Sequence, residues 1–348
     1  MSFPELPELD ELDRIIERGG SRLDVHQLCE VAFGERRFPV RAVCLGNRAA
    51  DAPGIGFFGG VHGLERIGTQ VLLSFLGLLV ERLGRDPELE ELLAGARVVF
   101  MPLVNPVGML RRTRSNGNGV DLMRNAPIES PGRVAFLLGG HRLSARLPWY
   151  RGARLAPMEA EGRALCELVR RELLTRPFCL ALDCHSGFGL RDRIWFPLAH
   201  TRAPFAYLAE VHALMARFNA AHPNHLYLIE PQSRRYLTHG DLWDFLCAEQ
   251  ADSESNAGRV FLPLTLEMGS WRWVRKSPRQ IWSRLGIFNP MPPDRAERVR
   301  RNHIEWLQFL CRAGRRWREW LPVGEERARH EQLGLADWFG GAASKAPP

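Results

Sequence analysis

The order of apolar and polar positions predicts alternating strands and helices along most of the chain. Residues 8–18 place leucine and isoleucine at helical spacing among acidic residues until two glycines end the pattern, which predicts a short leading helix. Two β-rich runs within 25–45 flank a polar turn and predict a hairpin. Further strands are predicted at 54–61, 96–104, 178–184, 193–199, 226–230 and 260–267, with helices at 68–83, 158–174, 205–220, 241–248 and 294–312.

This alternation indicates an α/β fold, with a mixed, mostly parallel twisted sheet of about eight strands and helices on both faces. We expect a leading helical segment at 1–24, one large domain at 25–322, and a frayed tail at 323–348 that ends in GGAASKAPP. A long polar stretch at 110–152 is rich in glycine, arginine and asparagine. Loops of that length in compact domains usually carry function, so this stretch is a candidate site region.

Composition and charge are those of an ordinary globular protein with a basic surface. The 348 residues are 45% hydrophobic and 25% charged. The net charge of +7 and the pI of about 9.3 would attract anionic substrates, nucleic acid or anionic lipid, without choosing among them. Since the sequence contains no helix-turn-helix, zinc finger or RNA-binding aromatic signature, we expect no nucleic acid partner.

Cysteine usage and the first residues predict the cellular setting. The seven cysteines are odd in number, form no CxxC pair and lie mostly in apolar runs, as reduced buried thiols do. The acidic start lacks the basic and apolar regions of a signal peptide, which favours the cytoplasm. The longest apolar run, 71–80, is shorter than the roughly 20 residues of a membrane-spanning helix, so no membrane association is expected.

Four ionisable side chains lie where predicted buried strands end. His62 and Glu65 follow the first of these strands, and His185 follows the third. Glu267 ends the last one. Ligands of open α/β sheets gather at the carboxyl ends of strands, where side chains distant in sequence meet. We therefore expect these four residues to form one site.

Two histidines and a glutamate suit a catalytic zinc ion, which takes three protein ligands and keeps a further position for water. The spacing from His62 to Glu65 puts both side chains on one side of a helical turn or tight loop, and Gly63 permits conformations closed to other residues. HxxE alone is common by chance, and the compact HExxH and HxxEH motifs are absent. Taken singly, Glu65 would equally fit a helix-start acid and His185 a strand-end cap.

Further motifs follow in a fixed order and decide between these interpretations. They are LRRTRSNGNGVDLMRNAP (110–127), LPWYRGARLAPMEAE (147–161), ALDCHSG (181–187) and LTLEMG (264–269). Together with GGVHGLE (59–65) they resemble the zinc carboxypeptidases of the carboxypeptidase A type. The landmarks of that family are HxxE, an RKTRS-like segment, GVDxNRN, a histidine ending a buried strand and a glutamate ending another. The resemblance implies a zinc-exopeptidase-like fold with 25–322 as the catalytic domain.

The resemblance also implies the metal site and the reaction. His62, Glu65 and His185 would hold one Zn²⁺ per chain. Glu267 would act as the general base, taking a proton from the attacking water, whose pKa the metal lowers, and passing it to the leaving amine. The implied activity is hydrolysis of a C-terminal peptide or amide bond.

Residues of the long polar stretch receive roles from the same resemblance. Arg114, in the RKTRS-like segment, would stabilise the oxyanion of the tetrahedral intermediate. Asp121 would accept a hydrogen bond from the first zinc-binding histidine and fix its tautomer. Arg124 and Asn125 would bind the terminal carboxylate of the substrate, and a bidentate contact explains the choice of arginine.

Two positions depart from the family pattern. The asparagine that precedes the carboxylate-binding arginine is replaced by Met123, which cannot hydrogen-bond a carboxylate. The tyrosine that closes over the substrate has no clean counterpart, and Tyr236, in the segment 232–246, is the nearest candidate. A core tyrosine would explain Tyr236 equally well.

Two alternatives therefore stay open. A deacylase of the aspartoacylase and succinylglutamate desuccinylase type resembles this chain in HGxE, a DLxR segment and the third histidine, and would cleave an N-acyl amino acid rather than a peptide. A non-catalytic protein that binds nucleic acid or peptides through its basic surface is the other alternative. The RRTRS run and the PMEAE segment favour the carboxypeptidase, and the sequence predicts no oligomeric state.

Overall fold

A computed structural model describes residues 6–252 and 258–340, and the sheet at its centre has eight strands. They are β1 (Asp24–Phe33), β2 (Arg36–Gly46), β3 (Gly54–Gly59), β4 (Arg97–Met101), β5 (Phe178–Ser186), β6 (Arg193–Phe196), β7 (Leu228–Pro231) and β8 (Val260–Met268). Their order in the sheet is β1-β2-β4-β3-β5-β8-β6-β7. The β1–β2, β2–β4 and β6–β8 pairs are antiparallel, and the other pairs are parallel. The predicted mixed, mostly parallel sheet is confirmed.

Ten α-helices connect and cover the strands within the described residues. They are α1 (Pro7–Gly19), α2 (Arg66–Arg82), α3 (Pro87–Gly95), α4 (Pro106–Arg111), α5 (Ala160–Val169), α6 (Leu208–Ala221), α7 (Leu242–Asp252), α8 (Trp271–Lys276), α9 (Pro293–Arg315) and α10 (Gly324–Trp338). The short helices α3, α4 and α8 have no counterpart among the predicted elements. Of these, α3 begins at Asp86, whose side chain accepts hydrogen bonds from two backbone N–H groups of the first turn.

Helices cover both faces of the sheet, as the alternation of side chains along β3 shows. The ring of Phe57 packs against Phe75 of α2, with ring centroids 5.5 Å apart, and Ile55 of the same face contacts Gly314 of α9. Gly56 points to the opposite face and meets Leu173, in the π-helical turn that continues α5. Both faces of β3 are therefore buried, which explains its continuous apolar run.

The parallel strands β3, β5 and β8 are neighbours, and their carboxyl ends meet at one edge of the sheet. His185 of β5 lies directly opposite Glu267 of β8 in the strand register. The loop after β3 carries His62 and Glu65 to the same edge before α2 begins. The topology thus brings together the four side chains that follow or end buried strands.

Part of the predicted tail is a docked helix. Residues 324–338, expected to be frayed, form α10, which packs along α6. Trp338 anchors it, since its ring centroid lies 4.7 Å from that of Phe196 and its Nε1 donates to the carbonyl of Ile229 at 3.0 Å. The prediction of a frayed tail is therefore wrong for this helix, and the rest of the predicted tail at 341–348 lies outside the described residues.

We expect Trp338→Ala to lower the free energy of unfolding by about 2 kcal/mol, less than the roughly 3–5 kcal/mol of a fully buried tryptophan because the side chain is half-buried. Chemical denaturation followed by fluorescence measures the change. Trp282→Ala is the matched control, because Trp282 is 89% exposed and should cost almost nothing. Equal stability of the two variants would show that α10 contributes no packing energy.

Within the described residues, no single helix is long and apolar enough to cross a membrane. One pair of helices, α2 and α3, meets that length and composition criterion jointly, but the two are bent by 109°. Most of α2 is buried in the protein core.

Candidate active site

Three donor side chains converge at the carboxyl ends of β3 and β5. Nδ1 of His62 lies 2.9 Å from Oε1 of Glu65, and Nδ1 of His185 lies 3.0 Å from Oε2 of the same carboxylate. The two Nδ1 atoms are 3.2 Å apart. All three residues are buried. We call this group the His-Glu-His cluster.

The donor set fits a shared cation. Each histidine places its other nitrogen, Nε2, against a carboxylate: Asp121 Oδ1 lies 3.1 Å from His62, and Asp183 Oδ2 lies 2.7 Å from His185. A neutral ring that donates Nε2–H to a carboxylate keeps a lone pair on Nδ1. Two such lone pairs repel each other unless a cation lies between them. A tetrahedral zinc ion, with bonds of about 2.0–2.1 Å to nitrogen, matches the observed separation.

Asp121 orders one side of the cluster. Its Oδ1 accepts from His62 and from the backbone N–H of Met123 at 3.0 Å, while Oδ2 accepts from Nε of Arg114 at 2.7 Å. Burial alone would raise the pKa of Asp121, but Arg114 and His62 together hold that pKa well below its usual range. Asp121 is therefore a permanent anion that fixes the ring of His62.

The loop that carries His62 is held by close backbone packing. A Cβ atom at Gly63 would lie 2.0 Å from the carbonyl carbon of Gly108 in α4, so no other residue fits there without a shift. Side-chain amides of Asn105 and Asn289 donate to backbone carbonyls on either side of this loop, at 3.1 and 2.7 Å. These contacts fix the spacing of the two donors in HxxE.

Glu267 lies beside the cluster on the neighbouring strand. It is 7% exposed, and its Oε1 accepts the backbone N–H of Phe188 at 2.9 Å. Burial and the charge of Glu65 raise the pKa of Glu267 to about 8. A cation at the cluster would offset the charge of Glu65 and lower this pKa towards neutrality, where a carboxylate exchanges protons effectively.

Arg114 spans the cluster from the long polar stretch. Besides its contact with Asp121, its Nη1 lies 3.5 Å from Oε1 of Glu65, and its guanidinium carbon lies 5.8 Å from the ring centre of Trp149. The side chain is 18% exposed and lines the cavity described next. A cation held in this way is placed to stabilise negative charge that develops on a reacting oxygen.

A cavity of about 680 Å³ opens over the cluster, within the size range of small-molecule sites. Arg124 lines it and is 3% exposed, with Nη1 donating to the carbonyl of Met123 at 3.2 Å. Tyr236, half-buried, lines the same cavity, close enough to Arg124 for the arginine's charge to act on its hydroxyl. The side chain of Met123 is also part of the wall. The structure thus brings Arg124 and Tyr236 to the cluster.

Asn125 does not reach this cavity and corrects the predicted set of substrate-binding residues. Its Nδ2 donates to the carbonyl of Arg151 at 2.8 Å, and its Oδ1 accepts the backbone N–H of Glu159 at 2.7 Å. Both ends of the amide are therefore used to join two parts of the long polar stretch. Asn125 supports the loop and is not among the described residues that line the cavity.

Asp183 is a site residue that the sequence-based prediction missed. It is fully buried, and its Oδ2 accepts both from His185 and from Nε1 of Trp243, at 2.7 and 3.0 Å. Asp183 precedes His185 by two residues on β5, so both side chains lie on the same face of the strand. In the sequence, the spacing of two residues between Asp183 and His185 is the pattern that could have identified Asp183 as the carboxylate that orients His185.

A second group of donor atoms, those of His26, Cys44 and Glu172, also lies within 4.8 Å of one another. Glu172 is already paired with Arg97 and Arg171, at 3.2 and 3.1 Å. These arginines repel a cation, and burial raises the pKa of the Cys44 thiol to about 12. This group therefore suits a metal ion much less well than the His-Glu-His cluster.

The mixed α/β sheet thus carries a buried His-Glu-His cluster, a facing glutamate and two arginines at one cavity. A sequence model of the family described as zinc carboxypeptidase matches residues 30–270, and the chain belongs to this family. The matched range contains the His-Glu-His cluster, Glu267, Arg114 and Arg124. The predicted family membership is confirmed.

Curated relatives match over short segments. Carboxypeptidase SOL1 of Arabidopsis thaliana is 26% identical over 122 residues, which are 34% of this chain and 25% of that protein. Carboxypeptidase D of Anas platyrhynchos is 33% identical over 91 residues, which are 24% of this chain and 7% of that protein. The chain therefore spans a quarter or less of the length of these relatives.

Solved structures extend the similarity to the whole fold. Carboxypeptidase A from Helicoverpa armigera has a TM-score of 0.60 at 17% identity, covering 97% of this chain and 75% of that one. Bovine thrombin-activatable fibrinolysis inhibitor, in complex with tick carboxypeptidase inhibitor, has a TM-score of 0.55 at 19% identity, covering 86% and 99%. At these identities the comparison establishes a shared fold.

Proposed function

We propose that this protein is a zinc-dependent carboxypeptidase that releases the C-terminal residue of a peptide. The observation that carries the proposal is the convergence of three buried donors, with two Nδ1 atoms 3.2 Å apart, at a cavity that also contains a glutamate and two arginines. Family membership supports the same chemistry. The proposed metal content is one Zn²⁺ per chain.

The His-Glu-His cluster and Glu267 have different roles in hydrolysis: the cluster binds the metal, and Glu267 transfers the proton. A zinc ion held by His62, Glu65 and His185 would polarise the substrate carbonyl and lower the pKa of water. Glu267 accepts the proton of the attacking water and donates it to the leaving amine, a role that its raised pKa supports. The hydrogen bond from Phe188 fixes one oxygen of Glu267, which leaves the other for the proton.

The arginines bind the two oxygen-bearing groups of the substrate. Arg114 stabilises the oxyanion, because it is fixed beside the cluster by Asp121 before the charge develops. Arg124 binds the terminal carboxylate, and Tyr236 lies next to it to complete this contact. Arg124 is a buried cation that forms no ion pair in the described part of the chain, and this favours the binding of an anion beside it.

A deacylase is the second candidate, and Met123 is the observation that favours it. The side chain of Met123 lines the cavity but offers no hydrogen bond, so the carboxylate of the substrate has one partner fewer than the family pattern provides. An N-acyl amino acid also presents a carboxylate to Arg124. The two candidates therefore share the metal chemistry and differ in what lies on the acyl side of the scissile bond.

A substrate panel tests the proposal. We expect the zinc-loaded protein to release free amino acids from N-blocked tripeptides and to leave the same peptides with amidated C-termini uncleaved, because the amide removes the charge that Arg124 binds. N-acetyl and N-succinyl amino acids form the second arm, measured by the same amine-release assay. Faster cleavage of the N-acyl amino acids would favour the deacylase, and cleavage of neither class would exclude both hydrolases.

A further inference from the structure

A buried carboxylate in the cavity takes no part in the mechanism above. Asp241 lines the cavity and is 2% exposed. Its Oδ1 accepts the backbone N–H groups of Trp243 and Asp244, at 3.0 and 3.1 Å, at the start of α7. Its Oδ2 is buried and has no hydrogen-bond partner among the described residues. Only one of the two oxygens is therefore accounted for.

Helix capping does not explain the negative charge of Asp241. Asparagine and serine cap helices about as well as aspartate, and capping uses a single oxygen. A buried carboxylate oxygen without a partner is costly, and such groups generally indicate a missing partner. Burial and the neighbouring charge of Asp244 raise the pKa of Asp241 to about 7, so the site favours binding of a proton or a cation.

Arg124 does not supply that cation. It lies close enough to act on the carboxyl of Asp241 through space, yet its Nε and Nη1 donate to the carbonyls of Leu138 and Met123. The two residues form no ion pair in the described part of the chain. Two opposite charges thus line one cavity without neutralising each other. A C-terminal substrate residue has a free carboxylate, and if its side chain is also cationic, it can pair with both Arg124 and Asp241.

We propose that Asp241 selects substrates whose C-terminal side chain carries an amino or guanidinium group. The α-carboxylate of that residue binds Arg124, and its side-chain cation binds Oδ2 of Asp241. This inference rests on the proposed carboxypeptidase activity and specifies its substrate class. Asp241 is then a specificity-determining residue and makes no contribution to the proton transfers.

Two peptides and one conservative variant test the proposal. N-blocked Ala-Ala-Lys and Ala-Ala-Leu differ only in the C-terminal side chain, which is cationic in one and apolar in the other, and we expect wild type to have the higher kcat/KM for the lysine peptide. Asp241→Asn keeps the capping oxygen and the shape but removes the charge. We expect the lysine-to-leucine ratio of kcat/KM to fall by roughly 30-fold or more, the scale of losing a buried charge partner.

The ratio separates selectivity from structural damage. Equal losses for both peptides in Asp241→Asn would make Asp241 a structural residue and overturn the inference, while the carboxypeptidase would stand. A wild-type preference for leucine would overturn it as well, whether or not the variant folds. Failure of wild type to cleave either peptide would remove the proposed function and this inference together. Zinc content measured on both proteins shows that the metal site is intact.

A second observation concerns the exposed edge of the same cavity. Three arginines line this edge, and we call them the rim arginines: Arg112, Arg146 and Arg284. They are far apart in sequence: Arg112 directly follows α4, Arg146 lies later in the long polar stretch, and Arg284 lies in the connection between α8 and α9. Their side chains make no hydrogen bond or ion pair with any residue in the described part of the chain.

The charges around the cavity are distributed unevenly. The acidic residues that line it, Glu65, Asp241 and Glu267, are all buried, so its exposed charged residues are all arginines. Exposed arginines elsewhere, such as Arg298 and Arg329, also lack ion pairs with described residues, so the absence of a partner does not by itself distinguish the rim arginines. What distinguishes them is their position together at one cavity edge where no described acidic residue is exposed. They leave a cationic edge where the peptide chain must enter.

We infer that the substrate carries carboxylates upstream of the scissile bond, where they meet the rim arginines. The test compares N-blocked Glu-Glu-Ala-Lys with Gln-Gln-Ala-Lys, which differ in upstream charge alone. We expect a higher kcat/KM for the glutamate peptide, and a loss of roughly tenfold in that preference when the three rim arginines are changed to glutamine, since each exposed ion pair contributes only a few-fold. The preference should also weaken with added salt.

The matched control changes as many exposed arginines far from the cavity. Arg298→Gln, Arg301→Gln and Arg329→Gln lie on α9 and α10 and lower the net charge by the same amount. If this control lost the preference equally, overall charge rather than the rim would be responsible, and the inference would fail. Equal rates for the two peptides in wild type would overturn it directly. Neither result would contradict the proposed carboxypeptidase activity, because that activity is measured as the release of lysine from either peptide.

Discussion

Glu267→Gln is expected to keep its bound zinc and to lose roughly two to four orders of magnitude in kcat, the usual scale of general-base removal. Glutamine has the same shape and can still accept the hydrogen bond from Phe188 through its amide oxygen. It cannot accept and return a proton, so only the chemical step is affected. Steady-state kinetics on a peptide substrate, with zinc measured on the same sample, gives both quantities.

A matched control separates this effect from the loss of one negative charge. Glu305→Gln makes the same substitution at a side chain that is 76% exposed and does not line the cavity, and its kcat should stay within a factor of about two of wild type. If Glu267→Gln kept more than a tenth of wild-type kcat with its zinc in place, another group would have to serve as the base. Loss of zinc in this variant would instead make Glu267 part of the metal site.

The fold was predictable from sequence wherever burial makes the apolar pattern continuous. β3, β5 and β8 are covered on both faces, so each appears as a mostly apolar run within a few residues of its observed bounds. α10 was missed because only Gly334 of this helix is buried, which leaves no apolar stripe to read. Its position depends on the contact of Trp338 with Phe196, a tertiary contact that no local pattern reports.

The position of the site could be predicted from the sequence because the order and direction of the strands determine it. Parallel strands bring their carboxyl ends to one edge, and that rule is sufficient to bring His185 and Glu267 together from distant segments. The direction of individual side chains is a different matter. Asn125 turns away from the cavity to join two loop segments, whereas Asp241 turns towards it from the start of a helix. Both outcomes depend on packing that a single sequence does not encode locally.

The contacts around the His-Glu-His cluster explain why the metal should matter for the whole site. Asp121 and Asp183 orient the two histidines, and Arg114 contacts Asp121 and Glu65. Removing one donor therefore leaves a buried glutamate and a buried histidine without their shared partner. Such uncompensated groups are costly, so the loss should be visible in metal binding before it is visible in folding.

His185→Ala is expected to lose most of its zinc, falling from about one ion per chain to a small fraction, because zinc sites of this type depend on three protein ligands. The alanine variant leaves Glu65 and His62 to bind the metal alone, and Asp183 keeps only its hydrogen bond from Trp243. Elemental analysis after extensive dialysis measures the ratio of zinc to protein, and circular dichroism shows whether the fold is retained.

His26→Ala is the control that makes this result specific, since His26 belongs to the second donor group, which suits a metal poorly. This variant should keep its full zinc content. A loss of zinc in His26→Ala with none in His185→Ala would move the metal to the opposite end of the sheet, next to β1 and β2, and would leave the cavity without its proposed chemistry. Losses in both would indicate two metal ions, and wild type would then contain about two per chain.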